Sequence, residues 1–205
     1  MTRRGDGVLT RAPRRVVATR PEIGNDEEVD VPSTGPITFL FTDLEGSTRL
    51  WEQHPEAMKG ALGRHDAILR AGIEASGGQV VKTTGDGMMA VFGTAIAAVT
   101  ASLAAQRNLA AEPWGETGPL RVRMGMHCGQ AEQRAGDFFG PTVNRTARIM
   151  AAGHGGQVLL SASAGALATE QLPEGASLLD LGEHHLKDLG RPEHLFQLLH
   201  PDLRS

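Results

Sequence analysis

The sequence lacks several features that mark common classes of protein. It has no tyrosine in 205 residues, and aromatic residues make up only 4% of the chain. Proteins that bind single-stranded nucleic acid stack bases on surface aromatic side chains, so this composition argues against such a platform. The formal net charge of −4 also gives no basic excess for binding nucleic acid. We therefore expect no nucleic-acid partner.

Cysteine and long apolar runs are also scarce. The single cysteine, Cys128, excludes an intramolecular disulfide and favours a reducing compartment. It lies in an apolar stretch, so we expect a buried thiol. No apolar run approaches the roughly 20 residues of a membrane span. The N-terminus carries arginines without the apolar segment of a secretory signal. These features predict a cytoplasmic, soluble protein without a membrane partner.

The composition predicts one domain and a tail. Hydrophobic residues make up 40% of the chain, which is enough to bury one core. Residues 1–35 contain a basic half, an acidic half and several prolines, and no helical period survives in them. We predict that this tail is disordered, that the domain covers 36–200, and that 201–205 is a short C-terminal end.

Apolar periodicity predicts the order strand, helix, strand, strand, helix, strand. This order is the split plan of a ferredoxin-like α+β sheet. We expect a βαββαβ sheet with helices on one face, followed by a C-terminal αβ extension. The predicted segments are a strand from 37, a helix over 48–74 interrupted at Pro55, strands over 80–83 and 88–92, a helix over 94–111, a strand over 120–129, a helix over 141–153, a strand over 157–160, a helix over 162–168 and a strand over 194–199.

One stretch, ITFLFTDLEGST (37–48), combines a buried strand with a polar turn. The strand delivers Asp43 to the sheet edge, and the turn of Glu45, Gly46, Ser47 and Thr48 presents backbone amides. A carboxylate beside free amides suits a metal ion that bridges phosphates. The residues alone equally allow Asp43 to end a strand and Ser47 or Thr48 to cap a helix.

A second aspartate is predicted at a neighbouring strand end. Asp86 and Gly87 form the dipeptide of a two-residue hairpin between the strands over 80–83 and 88–92. Such a turn would place the Asp86 carboxylate at the hairpin tip. A turn-forming role alone would also explain this residue. Two aspartates at adjacent strand ends, however, supply the paired carboxylates that a two-metal site needs.

Four stretches of the chain, in order, resemble the catalytic domain of class III nucleotidyl cyclases. The resemblance is greatest to the adenylyl cyclases of actinobacteria, and it covers about residues 36–200. It implies an enzyme of cyclic-nucleotide signalling that converts ATP to 3′,5′-cyclic AMP and pyrophosphate. The stretches are FTDLEGST (41–48), KTTGDGMMAVF (82–92), GDFFGPTVNRTARIM (136–150) and GEHHLKDLGRPEHLFQL (182–198).

The resemblance assigns a metal-and-phosphate half to the first two stretches. Asp43 and Asp86 would hold two divalent cations, Mg²⁺ or Mn²⁺. The backbone carbonyl of Leu44 would assist one of them. The backbone amides of the turn would cradle the β- and γ-phosphates, from Glu45, Gly46, Ser47 and Thr48.

The remaining roles implied by the resemblance concern the base, the ribose and the reacting phosphate. Asn144 would position the ribose, Arg148 would stabilise charge on the α-phosphate, and Lys187 would bind the triphosphate. Lys82 and Asp137 would read adenine. Adenine offers an N6 donor and an N1 acceptor, which match a carboxylate and an ammonium group, so this pair favours ATP over GTP.

In this family the active site forms between two catalytic domains, so the resemblance implies a head-to-tail homodimer with two shared sites. Two other functions stay open: a guanylyl or relaxed-specificity cyclase, and a catalytically silent nucleotide-binding or dimerisation module. One position departs from some family members, which place a phosphate-binding arginine where this chain has Gln157. Lys187 is then expected to carry more of the phosphate binding.

Overall fold

The scaffold of the protein is a seven-stranded sheet. The computed structural model describes residues 35–203. The strands are β1 (Ile37–Leu44), β2 (Gln79–Thr83), β3 (Met88–Phe92), β4 (Val122–Gly129), β5 (Glu132–Arg134), β6 (Asp137–Phe139), β7 (Val158–Ser161), β8 (Ser177–His184) and β9 (Glu193–Leu199). The sheet order is β2-β3-β1-β4-β7-β9-β8, and β5 and β6 form a separate hairpin.

Five α-helices accompany the sheet within the described residues. They are α1 (Ser47–Gln53), α2 (Pro55–Ala75), α3 (Ala95–Ala111), α4 (Pro141–Ala152) and α5 (Ala162–Ala168). In this part of the chain, no helix is both long and apolar enough to cross a lipid bilayer. The predicted tail over 1–35 falls outside the described residues, apart from Gly35.

The first four strands form the predicted ferredoxin-like core. β1 pairs antiparallel with both β3 and β4, and β2 pairs antiparallel with β3. Helix α2 connects β1 to β2, and helix α3 connects β3 to β4. β7 then adds parallel to β4, and β9 and β8 extend the sheet. The α+β class, the βαββαβ order and the C-terminal extension are therefore confirmed.

Strand β1 divides its side chains between the two faces of the sheet. Leu40 and Leu44 point into the large core under α2 and α3. Phe39 and Phe41 belong to a separate apolar cluster on the opposite face. Because successive strand residues alternate between faces, Asp43 lies on the same face as Phe39 and Phe41.

Helix α4 belongs to the C-terminal extension and packs on the face of the sheet opposite to the helices of the βαββαβ unit. Its residues Val143 and Met150 pack against the cluster of Phe39 and Phe41, opposite to α2 and α3. A Cβ atom on Gly125 of β4 would collide with the backbone of Met150, so the helix sits directly on the strand. The sequence predicts the helix but not the face of the sheet on which it packs, because that face depends on the contact with Gly125.

The turn between β2 and β3 is one residue earlier than predicted. The amide of Thr84 donates to the carbonyl of Gly87 at 2.8 Å, so the central residues are Gly85 and Asp86. Gly85 has φ +73°, a left-handed conformation that suits glycine. The predicted Asp-Gly centre was wrong, and Asp86 itself occupies the second turn position.

A buried histidine lies on the α4 face of the sheet. His127 of β4 is 9% exposed, and its Nδ1 lies 2.8 Å from Oγ of Ser161 and 3.1 Å from Oγ of Ser163. Burial, assisted by the positive charge of Arg145, lowers the pKa of His127 to about 4. The imidazole is therefore neutral at pH 7.

The Gly125 contact predicts a strong effect of adding one methyl group. Gly125→Ala should lower the free energy of unfolding by about 1–3 kcal/mol, because α4 must move off the sheet. Gly63→Ala is the matched control, since a Cβ there meets no atom within 4 Å. That control should stabilise helix α2 by about 0.5–1 kcal/mol. Urea denaturation of both variants measures the difference, and equal stabilities would contradict the close contact.

His127 predicts a pH-dependent stability. The unfolded chain protonates His127 near pH 6.5 and the native state only near pH 4, so unfolding takes up a proton between these values. The free energy of unfolding should therefore fall as the pH falls through this window, by about 1.4 kcal/mol per pH unit at most.

Urea denaturation at pH 7 and pH 4.5 measures this effect. His127→Gln should remove about 2 kcal/mol of the difference between the two pH values. The same substitution at exposed His185 is the control and should keep the difference. A His127→Gln variant with the full wild-type pH dependence would show that His127 does not titrate as described.

Candidate active site

Asp43 is held by a guanidinium group on the neighbouring strand. The register of β1 and β4 places Asp43 opposite Arg123. Nη2 and Nε of Arg123 donate to Oδ2 of Asp43 at 2.6 and 2.8 Å. Both side chains are about 30% exposed, so the pair is open to solvent. The carboxylate is thereby oriented at the C-terminal end of β1, with its charge partly neutralised.

The backbone next to Asp43 faces the turn that carries Asp86. Glu45 donates to the carbonyl of Arg121, so Leu44 occupies a position whose carbonyl points away from β4. Thr42 has the same orientation, and a Cβ on Gly87 would collide with its carbonyl oxygen. The Leu44 carbonyl therefore points to the side on which Asp86 lies.

These oxygen atoms fit the chemistry of hard divalent cations. Two carboxylates and one backbone carbonyl are ligands that Mg²⁺ and Mn²⁺ accept, with water and phosphate oxygens in the other positions. No cluster of three or more His, Cys, Asp or Glu side chains suited to a metal occurs over 35–203. A cation held by Asp43, Asp86 and the Leu44 carbonyl would therefore need further oxygen ligands from water or a bound ligand.

The turn after β1 supplies fewer free amides than the sequence predicts. The Glu45 amide donates to the Arg121 carbonyl at 2.9 Å, so the sheet uses it. Gly46 has φ +70° and is the N-cap of helix α1, whose first amides come from Ser47 and Thr48. The first amides of a helix have no intrahelical partner. Of the four predicted turn amides, that of Glu45 is therefore already used by the sheet.

The structure brings Lys82 and Asp137 together. Nζ of Lys82 donates to Oδ2 of Asp137 at 2.6 Å, although the residues are 55 positions apart. Burial raises the pKa of Asp137, but the hydrogen bonds from Lys82 and from the Phe138 amide outweigh it, and the net shift is downward. The carboxylate is therefore ionised at neutral pH, and an ammonium donor lies beside a carboxylate acceptor.

Helix α4 presents to solvent the residues predicted to bind the ribose and the phosphate. Asn144 and Arg148 are four residues apart, so they share a face of the helix. Nη2 of Arg148 donates to Oδ2 of Asp188 at 2.6 Å. Asp188 follows Lys187 in the connection between β8 and β9. Arg148 therefore contacts the segment of chain that carries Lys187.

Gln157 has a structural role in this chain. Its Oε1 accepts from the His154 amide at 2.8 Å, and its Nε2 donates to Oε1 of Gln197 at 3.0 Å. These bonds close the loop after α4 and connect it to β9. Gln157 therefore ties the loop after α4 to the sheet.

Two further residues at the site were not predicted from the sequence. Arg123 pairs with Asp43, and the aromatic ring of Phe139 lies 5.9 Å from Nζ of Lys82. The alternation of LRVRMGMHCG could have placed Arg123 on the face of the sheet that lacks α2 and α3. Its pairing with Asp43 depends on the register of two strands 80 residues apart, which no local pattern records.

The candidate residues form three separate groups within one chain. Among residues 35–203, no hydrogen bond or ion pair connects the Asp43–Arg123 pair, the Lys82–Asp137 pair and the Arg148–Asp188 pair. The hydrogen bond from the Gly155 amide to Oε1 of Glu45, at 3.0 Å, links the loop after α4 to the turn after β1.

Comparisons with known proteins agree with this architecture. An uncharacterized protein of Mycobacterium tuberculosis is 43% identical over 177 residues, a match that covers 85% of this chain and 60% of that protein. An adenylate cyclase of Neurospora crassa is 37% identical over 155 residues, covering 63% of this chain and 7% of that protein. The chain thus spans only part of the length of these relatives.

Solved structures and a family model extend the likeness to almost the whole domain. The structure of adenylate cyclases from Trypanosoma brucei in their monomeric state has a TM-score of 0.77 and 26% identity, covering 88% of this chain and 97% of that chain. The model described as adenylate and guanylate cyclase catalytic domain matches residues 29–200. The chain therefore belongs to the class III adenylate and guanylate cyclase catalytic domain family, whose members are nucleotidyl cyclases.

Proposed function

We propose that this protein is an adenylyl cyclase that converts ATP into 3′,5′-cyclic AMP and pyrophosphate. The observation that carries the choice of ATP is the 2.6 Å contact between Lys82 and Asp137. The ammonium group donates to N1 of adenine, and the carboxylate accepts from the N6 amino group. Guanine presents an acceptor at O6 and a donor at N1, so the same pair would meet the opposite pattern.

The reaction is an in-line displacement at the α-phosphorus. The 3′-oxygen of the ribose attacks, the bond from the α-phosphorus to the bridging oxygen breaks, and pyrophosphate leaves. The 3′-hydroxyl passes its proton to Asp43, to water or to a phosphate oxygen. Asn144 orients the ribose for this attack, and Arg148 donates to the α-phosphate oxygens as their charge grows. Catalysis of this kind depends on positioning and charge stabilisation rather than on a covalent intermediate.

The family chemistry uses divalent cations, and three groups of this chain would hold them. These are the carboxylates of Asp43 and Asp86 and the carbonyl of Leu44. When bound, the two cations acidify the 3′-hydroxyl and neutralise the leaving pyrophosphate. Arg123, already at the Asp43 carboxylate, would donate to the phosphates that arrive beside it. Lys187 would bind the same triphosphate from the second half of the site.

We further propose a head-to-tail homodimer with two equivalent sites. One copy would supply Asp43 and Asp86, and its partner would supply Lys82, Asp137 and the exposed face of α4. The side chains of Asp43, Lys82, Asp137 and Arg148 are 27–39% exposed, so a second copy can reach them. The similar Trypanosoma brucei cyclases are described in a monomeric state, so the fold itself does not need a second copy. Specific activity should therefore rise with protein concentration.

An assay of the purified protein with ATP and with GTP, each with Mg²⁺ and with Mn²⁺, tests the proposed reaction. We expect cyclic AMP from ATP and at least about tenfold slower turnover of GTP, because mismatched hydrogen bonds destabilise the bound guanine. Asp43→Asn and Asp86→Asn should reduce activity to about one thousandth or less, since both change a cation ligand. Mass spectrometry identifies the product.

Asp180→Asn is the matched control, because Asp180 is exposed on β8 and lies outside the site. It should keep wild-type activity, and circular dichroism should show all variants folded. Preferred cyclisation of GTP would make the protein a guanylyl cyclase. No product from either nucleotide would show a silent module, and full activity of Asp43→Asn or Asp86→Asn would contradict the two-cation assignment.

A mixture of two inactive variants tests the shared site. In a mixed dimer of Asp43→Ala and Arg148→Ala chains, one site carries both substitutions and the other carries neither. The mixed dimer should therefore recover about half of the wild-type activity, whereas each variant alone stays inactive. Purification on two different affinity tags isolates this species for the assay. A verified mixed dimer without activity would place each complete site within a single chain.

A further inference from the structure

One aromatic side chain beside the candidate base site is exposed. Phe139 is 45% exposed, and the other large apolar side chains with comparable exposure among the described residues are Leu167 and Leu179. The whole chain has only six phenylalanines, two tryptophans and no tyrosine. Phe139 is therefore exposed although the chain has few aromatic residues.

The exposure of Phe139 follows from the anchoring of its neighbour. Phe138 is 1% exposed, and its ring packs edge-on against Phe39 with centroids 5.3 Å apart and planes at 79°. Successive residues of a strand point to opposite sides, so Asp137 and Phe139 share the side that faces away from this cluster. The β5–β6 hairpin is thus fixed by Phe138 and presents a carboxylate and a ring together.

Lys82 lies between these two groups. Its Nζ is 2.6 Å from Oδ2 of Asp137 and 5.9 Å from the centroid of the Phe139 ring. The side chains of Lys82 and Asp137 are 39% and 30% exposed, so a ligand can reach them from solvent. Aromatic rings that stack hold their centroids roughly 4.5–7 Å apart. A flat ligand that hydrogen-bonds to Lys82 can therefore bring its ring into this range of Phe139.

We propose that the ring of Phe139 is the stacking wall for the base that Lys82 and Asp137 read. This inference rests on the proposed nucleotidyl cyclase function and assigns a further positioning residue to its base subsite. Hydrogen bonds along the edge of a base fix its plane but leave its faces uncovered, and an exposed phenyl ring can cover one face. Every base has a π-face, so Phe139 contributes affinity and leaves the choice between ATP and GTP to Lys82 and Asp137.

Three variants test this assignment: Phe139→Ala, Phe139→Trp and the control Leu179→Ala, whose side chain is 46% exposed on β8. Loss of stacking should raise the KM for ATP about tenfold in Phe139→Ala, with kcat within about twofold of wild type. Phe139→Trp should restore the wild-type KM. The inhibition constant of inorganic tripolyphosphate should not change, because this probe has no base. The ATP-to-GTP preference should also stay constant.

Other outcomes would overturn the proposal. A Phe139→Ala variant whose KM matches that of Leu179→Ala would show that the ring does not contact the base. An equal rise in the KM for ATP and in the inhibition constant of tripolyphosphate, with a smaller mass in sedimentation, would assign Phe139 to the contact between two copies instead.

Failure of the proposed function can be distinguished from failure of the stacking role of Phe139. If the wild-type protein forms no cyclic nucleotide, calorimetry with ATP and Mn²⁺ replaces the kinetic assay. Weaker ATP binding by Phe139→Ala with unchanged tripolyphosphate binding would then support the stacking wall in a silent module. Equal ATP binding by the wild type and Phe139→Ala, or no ATP binding by either, would refute it.

Discussion

The close approach of helix α4 to strand β4 determines where one group of candidate active-site residues lies. Gly125 lets the backbone of Met150 rest on the strand, where any side chain would collide. This contact places α4 on the face of the sheet opposite to α2 and α3, together with Asp43. Asn144 and Arg148 belong to this helix, so the contact at Gly125 sets where these two candidate residues lie on the sheet.

Opposite charges are paired throughout the site. Asp43 contacts Arg123, and the Lys82–Asp137 and Arg148–Asp188 contacts are equally short. Each pair is partly exposed, so its contribution to the stability of the fold is small, at most about 1 kcal/mol. Their effect is mainly to orient charged groups before the nucleotide arrives. Under the proposed function, a triphosphate and its cations would exchange partners with these groups instead of ordering free side chains.

Local patterns in the sequence were enough to predict most of the elements but not their long-range placement. Helix α5 has the predicted bounds because its cap and apolar spacing are local, and the βαββαβ order followed from periodicity alone. The face chosen by α4, the engagement of the Glu45 amide and the Asp43–Arg123 pair depend on the register between distant strands. The exposure of Phe139 depends on which of two adjacent phenylalanines packs against the Phe39 ring, and the sequence does not distinguish them.

The alternation within strand β6 has a consequence for how the base preference can evolve. The anchoring ring of Phe138 and the ligand-facing residues Asp137 and Phe139 are on opposite sides of a three-residue strand. Substitutions on the outer side leave the apolar cluster intact, so they cost little in folding. Under the proposed function, the hairpin separates the residue that sets the base preference, Asp137, from the residue that anchors the strand, Phe138, which makes it a natural place for selection or protein engineering to change the substrate.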